Sequence, residues 1–227
     1  MNSSANTIPV IAIDGPSASG KGTVAQAVAQ ALGFHYLDSG MLYRTVGLAV
    51  MHAGSNLDNE SEVLSILLKT NIKYDRGQVL MGGEDVAEAI RAEPISAAAS
   101  KVGAHARVRQ ALLERQREFR QPPGLVADGR DMGSVVFPDA KLKIYLTASP
   151  EARADRRYKQ LISKGLGANM AALLQDIMLR DQRDSDRTAA PLQKCPDAAE
   201  VDTTNLSVEQ ATARVLALYW QNAGVKN

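Results

Sequence analysis

One cysteine, Cys195, stands in 227 residues, so no internal disulfide can form and no C-x-x-C redox or metal pair exists. Excess charge of either sign is also missing. The 26 basic and 25 acidic residues leave a formal net charge of +1, which gives no electrostatic reason to expect binding to nucleic acid or an anionic membrane. No apolar run approaches the length needed to span a bilayer. The opening MNSSANTIPV lacks a basic segment followed by a long apolar one, so no secretory leader is expected. His35, His52 and His105 are scattered without triad or metal spacing, and neither an internal repeat nor a low-complexity tract occurs. What remains is a chain of 45% hydrophobic and 22% charged residues, long enough to bury a substantial core in one domain, with or without an inserted subdomain. A cytoplasmic monomer is expected, with neither nucleic acid nor membrane as partner.

Short apolar runs alternate with helical patterns. IPVIAI (8–13), FHYLD (34–38), GLVAD (124–128), LKIYLTA (142–148) and AAEVDTT (198–204) read as strands bounded by Gly, Pro or Asp. Between the first two, Val24, Ala27, Val28, Ala31 and Leu32 recur at helical spacing, and Gly33 is placed to stop that helix. The last helix is predicted to start at Ser207, with Gln210 three positions on completing a capping box. Near-continuously apolar strands alternating with helices predict a parallel sheet covered on both faces. Residues 55–98 break this rhythm. A helix-like Glu60–Lys69 segment is followed by NIKYD and QVLMGG around a D-R-G turn, which suggests a small α+β insert.

Residues 15–23 read GPSASGKGT, directly after the VIAID strand and at the opening of a helix. That context suits a phosphate-gripping loop of the form G-x-x-x-x-G-K-[ST]. Gly15 and Gly20 permit close backbone approach, the loop amides and helix N-terminus favour an anion, and Lys21 brings a positive charge over terminal phosphates. Pro16, Ser17, Ala18, Ser19, Gly22 and Thr23 complete the candidate ATP-binding stretch. Gly22 stands where a hydroxyl is usual, so the hydroxyl arrives one residue late, at Thr23. Thr23 is therefore the candidate Mg²⁺ ligand, the alternative being a cation held by phosphates and water.

An enzyme that moves a phosphoryl group needs charge neutralisation around its cleft, and arginines supply it. Three clusters qualify: Asp38-Ser39-Gly40 with Tyr43 and Arg44, Asp128-Gly129-Arg130-Asp131, and RDQRDSDR at 180–187. Arg180, Arg183, Asp184 and Arg187 would share one helical face, three guanidiniums around one carboxylate. Each cluster has a plainer reading, as a helix N-cap turn, a tight turn with an ion pair, and a solvated surface respectively. Two of them follow strands directly, where parallel sheets bind ligands. Arg107 and Arg109 stand on a helical pattern with leucines behind, which on spacing alone reads as a surface helix before it reads as a site. Arg153, Arg156 and Arg157 follow the fourth strand, either as a lid over phosphates or as a solvated helix.

IDGPSASGKGT (13–23), LDSGMLYR (37–44), ASKVGAHARVRQALLERQ (99–116), LVADGRDMGSVVFPDA (125–140) and RDQRDSDRTAAPL (180–192) together resemble the bacterial cytidylate kinases, over nearly the whole of residues 8–220. These are nucleoside monophosphate kinases in which G-K-G-T is the normal loop. The resemblance implies a five-stranded parallel P-loop core (about 8–54, 99–150 and 169–222), a monophosphate-binding insert (about 55–98) and a short lid (about 151–168). It implies transfer of the γ-phosphoryl of ATP, with Mg²⁺, to CMP or dCMP. Lys21, Arg130, Arg187 and Arg157 are then the catalytic candidates. Ser39, Arg44, Ser100, Arg109, Arg130, Asp131, Arg180, Asp184 and Arg187 match positions around the bound CMP. By resemblance, Ser100, Arg109 and Asp131 read the pyrimidine, Arg180 and Asp184 hold the sugar, and Arg44, Arg130 and Arg187 lie toward the α-phosphate. Cytosine offers an N4 donor to a carboxylate and N3 and O2 acceptors to an arginine, a pattern that uracil does not match. A kinase for UMP or AMP and a non-catalytic nucleotide sensor are the rival readings.

Overall fold

The computed structural model describes residues 8–75, 78–163 and 165–223. In chain order the elements begin β1 (Val10–Asp14), α1 (Lys21–Leu32), β2 (His35–Asp38), α2 (Ser39–His52), α3 (Glu60–Lys69), β3 (Ile72–Asp75), β4 (Gln78–Met81) and β5 (Glu84–Asp85). They continue with α4 (Glu93–Val102), α5 (Ala106–Arg117), β6 (Leu125–Gly129), β7 (Leu142–Thr147), α6 (Pro150–Ser163), α7 (Met170–Asp186), β8 (Ala199–Asp202) and α8 (Val208–Ala223). The five apolar runs named from sequence are β1, β2, β6, β7 and β8. The chain divides into two compact units, one from the segments up to Leu37 and from Arg117 onward, the other Asp38–Gln116.

In the first unit the five strands form one sheet in the order β2-β6-β1-β7-β8. β1 runs parallel to β6 and β7, and β7 parallel to β8. β1 lies centrally, and Val10, Ile11, Ala12 and Ile13 are fully buried, so an uninterrupted apolar run is what both faces require. In β7 burial alternates instead. Leu142, Ile144 and Leu146 join the core formed with α1 and α8, while Lys143, Tyr145 and Thr147 are less buried. Strand order reverses beside β1, and ligands of open α/β sheets bind at the carboxyl ends of such strands.

α1 buries Val24, Ala25, Val28 and Ala29, whereas the expected stripe used Ala27 and Ala31, of which Ala31 is exposed. Alanine occurs at four odd positions around this helix, so composition could not fix its azimuth; contact with α8 does. Gly33 takes the left-handed conformation (φ 65°) and its N–H returns to the carbonyls of Ala29 and Gln30. At the other end of the chain Ser207 N donates to Gln210 Oε1 at 2.9 Å, and Gln210 N donates to Ser207 Oγ at 3.2 Å, completing the capping box.

The second unit packs α2 against α4. Gly47 permits the crossing, since a Cβ there would lie 3.1 Å from Ala98 Cβ. β3 and β4 pair antiparallel from Ile72↔Met81 to Asp75↔Gln78, and the short β5, which the sequence did not suggest, adds a third strand. Arg76 and Gly77 of the expected D-R-G turn lie outside the described residues. Leu48, Val79, Val86, Ile90 and Ile95 form the core of this unit.

The reciprocal cap is a test of local sequence coding. Ser207→Ala is expected to cost about 1 kcal/mol, read as a thermal midpoint lower by about 2–4 °C. An unchanged midpoint would show that the cap does not stabilise α8 in this fold.

Candidate active site

The loop after β1 is held in a shape that only small residues allow. A Cβ on Gly15 would run into the carbonyl oxygen of Leu146 on the neighbouring strand. Ala18 (φ 56°) and Gly20 (φ 87°) both take the left-handed conformation that turns the chain into α1. α2, α3, α7 and α8 each begin with a capping side chain, from Asp38, Asn59, Asn169 and Ser207. α1 begins at Gly20, which has none to offer. Its first-turn N–H groups, those of Lys21, Gly22 and Thr23, therefore form the kind of uncapped terminus that anions bind. Lys21 is buried, and its Nζ donates to Pro16 O at 3.1 Å, which arches the ammonium back across the loop.

The structure also accounts for Gly22. A Cβ there would stand 3.4 Å from the Tyr36 hydroxyl and 3.9 Å from an Asp128 carboxylate oxygen. Tyr36 donates to Asp128 Oδ1 at 2.7 Å. A Cβ at position 22 would thus be in ordinary contact with this pair, and Thr23 stands on the exposed side of the helix. Asp128 is the buried carboxylate that reading the sequence quoted but left without a role. Among the described residues no three His, Cys, Asp or Glu side chains converge as a protein-built metal site would need.

Beside this loop stands a network of arginines. Arg130, at the end of β6, donates from Nε to Asp184 Oδ2 (2.6 Å), from Nη1 to Gly129 O (3.2 Å) and from Nη2 to Ser17 Oγ (3.0 Å). Arg187 Nη1 lies 3.9 Å from Asp184 Oδ1, and its Nε donates to Ala190 O at 2.5 Å. The expected helical face at 180–187 needs correction. α7 ends at Asp186, and Arg187 is its extended C-cap, with the chain folding back so that Leu192 N donates to Asp184 O at 2.8 Å. Asp184 pairs with Arg130, from the end of a distant strand, and with Arg187. Arg180 is half-buried and Arg183 exposed.

The three arginines of α6 separate in role. Arg153 is buried, donating from Nε to Ala148 O (3.0 Å) and from Nη1 to Ser17 O (3.0 Å), while Nη2 pairs with Asp181 Oδ2 (2.6 Å). Arg156 Nη1 donates to Ser19 O at 3.1 Å and Nη2 to Thr203 O. Both grip carbonyls of the phosphate loop, a role that spacing alone does not reveal. Arg157 Nη1 donates to Gln160 Oε1 at 2.7 Å on an exposed face of the helix.

Within the second unit, Asp38 caps α2 by accepting from Met41 N (3.1 Å) and pairs with Arg44 Nη2 (2.5 Å). Gly40 makes room for that guanidinium, since a Cβ there would lie 3.0 Å from Arg44 Nη1. Ser39 is buried in the first turn. Arg109 donates from Nη1 to Gly103 O at 3.1 Å and lies over the Tyr43 ring, 5.4 Å from its centroid, a cation–π contact that orients the fork. Ser100 is half-buried on α4.

The family model described as cytidylate kinase matches residues 11–221. A cytidylate kinase of Nitrosomonas europaea is 52% identical over 212 residues, covering 93% of this chain and 95% of that protein. Those of Chromobacterium violaceum and Cupriavidus necator are each 56% identical, over 210 and 209 residues. Both alignments cover 92% of this chain, with 95% and 94% of the respective relative.

Charges in the first unit are mutually adjusted. Burial alone would raise Asp184, but Arg130, then Arg187 and Lys21, outweigh it and hold the carboxyl below its usual range. Burial would lower Arg130, yet Asp184, with Asp128 and Asp181 nearby, raises it. Asp14 is the opposite case. Burial, with a contribution from Asp131, lifts it from 3.8 to about 6, despite hydrogen bonds from Gly133 N and Met132 N (2.8 Å each) and the charge of Lys21. A folded value above the unfolded one means the native state binds the proton more tightly. Stability is therefore lost as pH rises from about 4 through about 6, by about 3 kcal/mol in all. Asp14→Asn removes the titration. The wild-type unfolding free energy, taken relative to the variant, should fall by about that amount between pH 4 and 7 in denaturant titrations. A difference independent of pH would mean that Asp14 ionises normally.

Proposed function

We propose, from the premise that the chain belongs to the cytidylate kinase family, that it transfers the γ-phosphoryl of ATP to CMP or dCMP, giving ADP and CDP or dCDP. Membership makes it a phosphotransferase; the residue roles below are our assignment. The observation that carries most weight is the position of Arg130. It touches Ser17 of the phosphate loop while paired with Asp184, so a guanidinium suited to an acceptor phosphate adjoins the loop suited to the donor.

The acceptor is already an anion, so no general base is needed. Positioning and charge neutralisation do the work. Residues 15–23 cradle the ATP phosphates, with Lys21 over the group being transferred. Arg44, Arg130 and Arg187 hold the acceptor phosphate, Ser39 supports it, and Arg180 and Asp184 hold the sugar. Ser100, Arg109 and Asp131 read the base. Residues 55–98 serve as the monophosphate-binding insert and 151–168 as the lid, from which Arg157 reaches the phosphates. Arg153 and Arg156 act on the shape of the loop.

Mg²⁺ travelling with ATP supplies charge neutralisation at the β- and γ-phosphates when bound. The Thr23 hydroxyl and the Asp128 carboxylate are the groups that would hold the ion or its water shell, and a small donor set suits a cation that keeps several waters. No helix among the described residues is long and apolar enough to cross a membrane.

The test is ADP release with ATP and, separately, CMP, dCMP, UMP, AMP and GMP, repeated with Asp131→Ala. CMP and dCMP should be preferred by the wild type. An unpaired buried polar group costs on the order of 1–3 kcal/mol, so the variant should lose about tenfold to a hundredfold of the CMP-over-UMP preference while ATP affinity changes less. UMP or AMP outperforming CMP in the wild type would overturn the substrate assignment, and an unchanged preference in the variant would move base reading away from Asp131.

A further inference from the structure

We infer that Ser17 is a positioning residue divided between the two substrates: its carbonyl shapes the donor loop and its hydroxyl orients the arginine that meets the acceptor. The inference rests on the reading of Arg130 as an acceptor-phosphate ligand.

Ser17 lies in the phosphate loop and is almost fully buried. Two arginines from different elements grip it. Arg153 of α6 donates to its carbonyl at 3.0 Å, and Arg130 at the end of β6 donates to its hydroxyl at 3.0 Å. Each guanidinium is anchored in turn on α7, Arg153 by Asp181 and Arg130 by Asp184, both at 2.6 Å. Asp181 and Asp184 are three residues apart and so stand one turn from each other along the same helix. The result is a closed bracket in which α7 holds both arginines and both arginines hold one serine.

The two arms are not equivalent. In Arg153, Nε, Nη1 and Nη2 all face fixed partners inside the protein, and its side chain is buried. It fixes backbone and is poorly placed to follow a substrate. In Arg130 the bonds to Asp184, Gly129 and Ser17 take one hydrogen from each nitrogen, which leaves one N–H on each terminal nitrogen directed elsewhere. That pair of donors is the fork a phosphate accepts. The hydroxyl of Ser17 is therefore one of three anchors, with Asp184 and Gly129 O, that set the plane of an acceptor-side guanidinium, although its backbone belongs to the donor loop.

The prediction is a split between the substrates. Steady-state KM values for ATP and CMP, and ATP binding by calorimetry without CMP, would be measured for Ser17→Ala, Ser17→Thr and Arg153→Lys. In Ser17→Ala, loss of a hydrogen bond to a charged group should raise KM for CMP about tenfold, with ATP affinity retained. Ser17→Thr keeps the hydroxyl and should restore the CMP value. Arg153→Lys removes the fork from the carbonyl and should show the reverse split, weakening ATP more than CMP. If Ser17→Ala weakens ATP as much as CMP, or leaves both unchanged, the inference is overturned. Should the wild type prefer another monophosphate, the substrate assignment falls, while the Ser17 split is still read against that acceptor.

Discussion

Asp184 is a nearly buried carboxylate, and it stays charged because Arg130 and Arg187 stand against it. Removing either partner of such a pair leaves an uncompensated buried ion, which is why buried charges are held in groups. In the first unit this constraint propagates. Arg130 reaches Ser17, Ser17 is held by Arg153, and Arg153 is paired with Asp181. A site for polyanions must gather positive charge before its ligand arrives. The carboxylates of α7 make that tolerable by fixing the arginines in place, and the loop between β1 and α1 is shaped as part of the same network.

The same logic applies to the start of α1. Capping side chains on α2, α3, α7 and α8 satisfy the N–H groups that α1 leaves to a ligand. A side chain at position 22 would stand beside the Tyr36 hydroxyl and the Asp128 carboxylate. Glycine there keeps the Tyr36–Asp128 hydrogen bond and leaves the carboxylate beside the first turn of the helix.

Most of the fold was legible because burial on both faces of a parallel sheet demands runs with few charges, as in β1 and β6, and even β7, where burial alternates, keeps Leu142, Ile144 and Leu146 for the core. Turn and cap chemistry at Gly33 and Ser207 is local, so it could be read locally as well. The misreadings arose where the decisive partner is far away in the chain. Arg187 was expected beside Asp184 and is there, though from beyond the helix end, whereas Arg130, 54 residues earlier, was not expected as its partner. Arg153 lies 136 residues from Ser17, and nothing in its spacing separates a clamp on the loop from a solvated arginine. Alanines on every side of α1 left the buried stripe undetermined until α8 was placed. Family resemblance located the charged residues; only coordinates could show which of them hold one another.

Asp14 links these networks. It is the last residue of β1, its backbone leads directly into Gly15, and its carboxylate accepts from both Met132 N and Gly133 N. Those two amides follow Arg130 and Asp131 without a gap, so the segment bearing these two residues is tied to the root of the loop between β1 and α1. An asparagine would present one acceptor and one donor to two donors, and a hydrophobic residue would leave both amides unmet in a dry interior. Burying an acid beside Asp131 is electrostatically unfavourable, as its raised titration shows. The arrangement suits a carboxylate, which offers each amide an acceptor oxygen of its own. Fixing the distance between the β1–α1 loop and Arg130 therefore depends on a residue that, in the proposed reaction, no phosphate needs to touch.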